Sequence, residues 1–184
     1  MSRFNDLQCL IHFIVHSKPR CLSIEDLLEP IVIFTDAAAD DTSATYGLVL
    51  FDGTSRYAAA GEIPAGLVSQ WKSEVGSQII CQAELYPVIL AKLKWAKKMT
   101  NRRVLFFIDN EAAKFSMIKM ESPSSASRKL LKLFYNVEAE NASYLWFSRV
   151  PSFSNPADLP SRGQLDSVCD IFKAEKVDLS DCVF

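Results

Sequence analysis

The chain has 184 residues, about one average domain, with 49% hydrophobic and 23% charged residues, an ordinary globular mixture. That composition excludes a disordered chain, and no apolar run approaches the roughly eighteen residues a membrane-spanning helix needs. Five scattered cysteines (Cys9, Cys21, Cys81, Cys169 and Cys182) with no C-x-x-C pair exclude a disulfide framework and point to a reducing compartment, cytoplasm or nucleus.

Net charge is −2, but its distribution is uneven. Residues 164–184 carry −3, so the first 163 carry +1, and whole-chain charge is a poor guide to what one face attracts. Residues 1–29 read as a helical preface. The apolar stretch Leu7–Val15 is followed by Pro19, and Ser23-Ile24-Glu25-Asp26 matches a capping box with aspartate at its last position. Pro30 opens the main domain, residues 30–163, and residues 164–184 read as an acidic tail.

Ile31–Asp36 is a continuous β-branched and aromatic run, as expected of a strand buried on both faces. Tyr46–Phe51 and Ser55–Gly61 flank Asp52-Gly53, a type I′ turn signal, and predict a hairpin. Pro64–Ser77 has no clear period. Gln78–Met99 is helical in pattern, with a kink or an irregular first turn expected at Pro87. Arg103–Asp109 predicts a second buried strand, and Asn110-Glu111-Ala112-Ala113 opens a helix directly after it. Another helix follows from Pro123 to about Glu140, then a strand from Tyr144 to Val150. Asn155-Pro156-Ala157-Asp158 starts a short terminal helix with proline at its first position. The order implies an α/β fold: a mixed five-stranded sheet with helices packed on both faces.

Four acids fall where a structural role explains them poorly. Asp36 and Asp109 end the two apolar strands, which a right-handed crossover makes neighbours. Glu84 lies between Ala83 and Leu85 in the apolar part of the intervening helix, and Asp158 follows the last strand. Side by side, such carboxylates repel unless a cation intervenes, and hard cations such as Mg²⁺ take oxygen ligands. Each has an ordinary alternative: Asp36 as a strand-end cap, Asp109 as a helix N-cap, Asp158 as a partner for helix amides. Glutamate, rarely buried unpaired, is hardest to explain that way.

Thr35-Asp36-Ala37, Ala83-Glu84-Leu85, Ile108-Asp109-Asn110 and Asn155-Pro156-Ala157-Asp158 together resemble the D-E-D-D signature of ribonuclease H domains. The phrase Asn155–Gly163 is most similar to the ribonuclease H domains of retrotransposon polyproteins, Pao/BEL-like ones in particular. The resemblance covers about Ile31 to Gly163. It implies a ribonuclease H-like fold and hydrolysis of the RNA strand of an RNA–DNA hybrid, leaving 5′-phosphates. Two Mg²⁺ ions, with Mn²⁺ as the alternative, would be held by Asp36, Glu84, Asp109 and Asp158. Asp36 would bridge the ions, Asp158 would hold the one that activates water, and Glu84 with Asp109 the one on the leaving-group side. Gln82, Asn110, Asn155 and Arg162 would contact substrate, and an upstream reverse transcriptase domain is a candidate partner. The loop Val150–Ser154 lacks the histidine many family members carry, and the chain's only histidines are His12 and His16. Rival readings are a resolvase or transposase-like nuclease on the same fold, and a catalytically inactive nucleic-acid-binding module. The D-x-E of proofreading exonucleases is absent, because Asp36 is followed by Ala37-Ala38.

Two further patterns carry less. Six cations between Lys92 and Arg103 read either as a phosphate track or as a solvated helix end, and Arg128, Lys129 and Lys132 pose the same choice. Cys9, His12, His16 and Cys21 superficially suggest zinc, but lack the paired arms of structural zinc sites.

Overall fold

A computed structural model describes residues 28–40 and 42–182, together with Leu7, Ile11, Ile14 and Val15 of an N-terminal helix. The capping box at 23–26 and the Cys9, His12, His16, Cys21 pattern lie outside the described residues. Among the described residues, six strands form one sheet in the order β5-β4-β1-β2-β3-β6.

Strand β1 (Ile31–Ala39) pairs antiparallel with β2 (Ala44–Asp52), and β2 with β3 (Ser55–Glu62). β1 runs three residues past the predicted end because its ladder with β2 continues to Ala39 opposite Ala44. Asp36 therefore sits inside the strand and not at its end. Asp52 pairs with Ser55, so Gly53-Thr54 make the turn, one residue later than the Asp-Gly signal. Gly53 has φ +57° and Thr54 is not among the positive-φ residues, so the turn is not type I′, which needs positive φ at both positions.

The region without a clear period forms helix α1 (Ala65–Val75). Helix α2 (Ile80–Met99) crosses the sheet to β4 (Arg103–Ile108), which lies parallel beside β1. The departure from helical geometry inside α2 falls at Trp95 (φ −113°, ψ 22°), not at Pro87. There Trp95 packs against Tyr57, with ring centroids 5.9 Å apart. Helices α3 (Glu111–Lys119) and α4 (Ser125–Glu140) return the chain to β5 (Tyr144–Arg149), parallel to β4.

A short α5 (Asp158–Ser161) follows a 3₁₀ turn at Ser152–Ser154. It starts two residues after Pro156, so proline is not its first residue. The Asn155 side chain and carbonyl accept the N–H groups of Ala157 and Asp158 and hold that stretch in a turn.

Residues 164–182, the stretch read as an acidic tail, pack on the sheet and its core. Helix α6 (Leu165–Phe172) buries Val168 against Val49 and Ala58. Glu175–Lys176 add β6 beside β3, the sixth strand, too short and too polar to show in the sequence. Leu179 joins the main core. Asp181 pairs with Lys94 at 2.9 Å.

The main core lies between one sheet face and α2 and α4: Ile31, Ile33, Leu48, Leu50, Val104 and Phe106 meet Leu85, Ile89, Leu130 and Phe134. The basic stretch is largely consumed by structure. Lys92 is fully buried on Glu138 at 2.5 Å, and Lys98 and Arg102 share Asp52. Arg128 donates to the Ser122 and Pro123 carbonyls, and Lys129 pairs with Glu74. No helix among the described residues is long and apolar enough to cross a membrane.

Candidate active site

The parallel ladder between β1 and β4 ends at Thr35 opposite Ile108, and both chains carry an acid at the next position. Asp36 continues along β1, while Asp109 leaves the sheet. Asn110, not Asp109, caps α3: its side chain accepts the Ala113 N–H at 2.9 Å. Asp109 is thereby left to the cleft, where it accepts a hydrogen bond from the Ser152 hydroxyl at 2.8 Å. Glu84, in the second turn of α2, reaches the same point from the helix face of the sheet. One carboxylate oxygen each from Asp36, Glu84 and Asp109 lie within 4.8 Å of one another.

This cluster is electrostatically costly as it stands. Burial, with repulsion from Asp109 and Asp36, pushes Glu84 up to about 10 from an ordinary 4.5. Its Oε2 is buried with no N–H or O–H donor to bond it. The Ala37 backbone N–H on the carboxylate offsets only part of this. Asp36 is raised from 3.8 to about 7, chiefly by burial, with smaller contributions from Asp109 and Asp158. The Ser161 hydrogen bond and Arg162 oppose that rise. Two raised carboxyls and a third acid around one point, with a lone pair aimed at no donor, fit a hard cation that takes oxygen ligands.

Asp158 is placed differently. It begins α5 near the cluster but does not join the three oxygens, and its Oδ1 accepts from Arg162 Nε at 2.9 Å. What ties it to the cluster is Ser161, three residues on and 1% exposed. The Ser161 hydroxyl donates to Asp36 Oδ2 and also lies 2.8 Å from the Asp158 carbonyl oxygen. Helix α5 is in turn held on β2. Thr45 Oγ1 donates to the Ser161 carbonyl at 2.6 Å, and a Cβ at Gly47 would collide with the Ala157 carbonyl and the Ser161 amide.

Of the residues expected to touch substrate, Arg162 is exposed beside Asp158, and Asn110 lies next to Asp109. Asn155 is buried and works inside the protein: it donates to the Thr35 carbonyl at 3.0 Å and accepts from the Ala157 N–H. Gln82 is also buried, its amide donating to Ser124 and Ser127 at 3.0 Å. The resemblance implied a substrate contact for both; in the structure their side chains bond neighbouring elements. Sequence reasoning missed Ser152, Ser161, Gly47 and Thr45, since a lone serine, threonine or glycine carries no signal of what it will meet. The loop Val150–Ser154 presents Phe153, 93% exposed.

No family model and no curated protein matches the sequence. Solved structures do match. LC11-RNase H1, isolated from compost and solved in complex with an RNA/DNA hybrid, is 17% identical with a TM-score of 0.52, over 74% of this chain and 97% of its own. The N-terminal RNase H domain of Rv2228c from Mycobacterium tuberculosis is 16% identical, TM-score 0.51, over 77% and 97%. RNase H1 from the halophilic archaeon Halobacterium salinarum is 14% identical, TM-score 0.51, over 76% and 99%. At these identities the likeness concerns architecture. With its mixed sheet and flanking helices, the chain has the ribonuclease H-like fold.

Proposed function

We propose that the protein is a metal-dependent endoribonuclease that hydrolyses the RNA strand of RNA–DNA hybrids. The observation that carries this reading is the meeting of Asp36, Glu84 and Asp109, from three separate elements, just past the point where the parallel ladder between β1 and β4 ends. Asp36, Glu84 and Asp109 would hold divalent metal, Mg²⁺ or Mn²⁺, and Asp158 at the rim would complete a two-ion site. Such ions supply a water of lowered pKa and charge neutralisation at the scissile phosphate.

The chain's own groups do the positioning. Ser161 orients Asp36, Ser152 orients Asp109, and the Ala37 N–H holds Glu84, so each carboxylate is fixed before substrate arrives. Arg162, exposed and next to Asp158, offers a guanidinium to a phosphate of the strand being cut. Phe153, standing out beside Asp109's partner Ser152, offers a stacking surface to a base or sugar. The hybrid would be read by shape and 2′-hydroxyls. The phrase Asn155–Gly163 supports a retrotransposon-type domain working beside an upstream reverse transcriptase domain.

The test is cleavage of labelled RNA–DNA hybrid, RNA–RNA and DNA–DNA with Mg²⁺ or Mn²⁺, run beside the Asp109→Asn protein. Cutting confined to the RNA of the hybrid and lost in the variant is expected. Cutting of DNA–DNA would move the protein to a resolvase or transposase-like activity. Hybrid binding without cutting would make it an inactive binding module.

A further inference from the structure

The sheet has a second face, and half of it is covered by no element among the described residues. Alternation along the strands puts Val32, Phe34, Leu105, Phe107 and Trp146 on that face, and the β1–β4–β5 register sets them side by side. Phe34 and Phe107 stack with centroids 4.9 Å apart. Over β2 and β3 this face is covered by α5 and α6, through Val168, Leu159 and Phe172. Over β4 and β5, no element among the described residues lies on it. The result is a groove of about 500 Å³ beside Pro30, Leu105, Tyr144, Leu145 and Trp146, with Trp146 65% exposed on an edge strand. A bare aromatic on an open edge is a liability that proteins usually cover.

The same chain carries exposed apolar residues on its N-terminal helix. Leu7, Ile11, Ile14 and Val15 follow the four- and three-residue spacing that makes one helical stripe. All four are more than half exposed. The chain enters the domain at the groove itself. Arg103 Nη2 holds the Leu28 carbonyl at 3.0 Å, Arg102 Nη2 holds that of Glu29 at 2.7 Å, and Pro30 lines the groove. The twelve intervening residues, 16–27, can reach about 40 Å when extended, and three strands span only about 10–15 Å. A tether this short gives a local concentration of the order of millimolar, far above any second copy at working dilution.

We infer that the N-terminal helix docks its Leu7, Ile11, Ile14 and Val15 stripe onto the outer face of β4 and β5, over Trp146. This covering is independent of the nuclease reading. It makes the preface part of the domain's stability, covering an apolar face that would otherwise recruit other chains.

Trp146 reports it directly, because the other two tryptophans, Trp71 and Trp95, are buried. Acrylamide quenching of the full chain is compared with that of an Ile11→Glu/Ile14→Glu protein, with Trp146→Phe identifying the Trp146 signal. The milder Ile11→Ala/Ile14→Ala pair and the unchanged emission of Trp71 and Trp95 guard against a folding artefact. The expected result is a Trp146 shielded in the full chain at every protein concentration and loss of that shielding in the variants. Equal quenching in all proteins would overturn the inference. So would shielding that disappears on dilution together with a dimer in sedimentation, which would give the groove to a second copy.

Discussion

Ser161 shows how much of the site depends on a residue with no chemistry of its own. Its hydroxyl bonds Asp36 and touches the Asp158 carbonyl, and its own carbonyl is held by Thr45. Removing that hydroxyl frees the Asp36 carboxylate to rotate while leaving every acid in place. Ser161→Ala should therefore weaken divalent-metal affinity about 10–100-fold, the usual cost of losing an orienting partner. Calorimetric titration reads this, and Ser161→Thr should recover part of it. At the same scale the sequence was partly legible. Asp36, Glu84 and Asp109 stood out because acids in apolar runs are rare. The internal bonds of Asn155 and Gln82 were not legible, because a polar side chain looks the same in sequence whether it meets solvent or a buried partner. Ser161 was invisible for the converse reason: serine is common, and its partner Asp36 lies 125 residues away.

At the level of elements, two close fits hold the site's supports together. The backbones of α5 and β2 approach so closely that Gly47 has no room for a side chain. Gly47→Ala must push α5 off the sheet, and about 1–3 kcal/mol of destabilisation is expected from overpacking of this kind. Chemical denaturation measures the loss, and a metal titration should weaken in parallel because α5 carries Ser161. The second fit is the buried Lys92–Glu138 pair. Lys92 Nζ also donates to the Asn141 carbonyl and the Ser143 hydroxyl, and Glu138 accepts the Ser143 amide. The pair joins α2 to the turn between α4 and β5. Lys92→Met leaves Glu138 charged and buried without its partner, and should cost about 3–5 kcal/mol in denaturant unfolding. Lys92→Met/Glu138→Leu should cost much less, since no unpaired charge remains. Strands and long helices were readable from apolar runs and turn residues. The two-residue β6 was not, having no period to detect, and neither was the break at Trp95, which falls away from Pro87 where the ring meets Tyr57.

For the whole molecule, the acid cluster links folding, pH and metal. Asp36 and Glu84 hold protons in the metal-free folded state up to about 7 and about 10, against 3.8 and 4.5 when unconstrained. Between those limits the folded state binds more protons than the unfolded one, so stability falls as pH rises. The loss from Asp36 accumulates from about pH 4 to 7, and that from Glu84 continues toward 10. Metal-free protein should thus melt at lower temperature at pH 8 than at pH 5, and Mn²⁺ should raise the melting temperature more at pH 8. Glu84→Gln should flatten the metal-free slope, because the amide stays neutral throughout. The architecture itself was the most legible level, since strand and helix order restrict the topologies available. What the order did not disclose was that residues 164–182 complete the sheet and core, because their acidic composition hides Val168 and Leu179.

The account stands or falls on the acid cluster being a divalent-metal site, and calorimetric titration of the metal-free protein with Mn²⁺ at pH 8 tests that most directly. Saturable binding to the wild-type chain, abolished in Asp109→Asn with the fold intact by circular dichroism, is the result predicted. Absence of binding to the wild type, or equal binding to the variant, would contradict it.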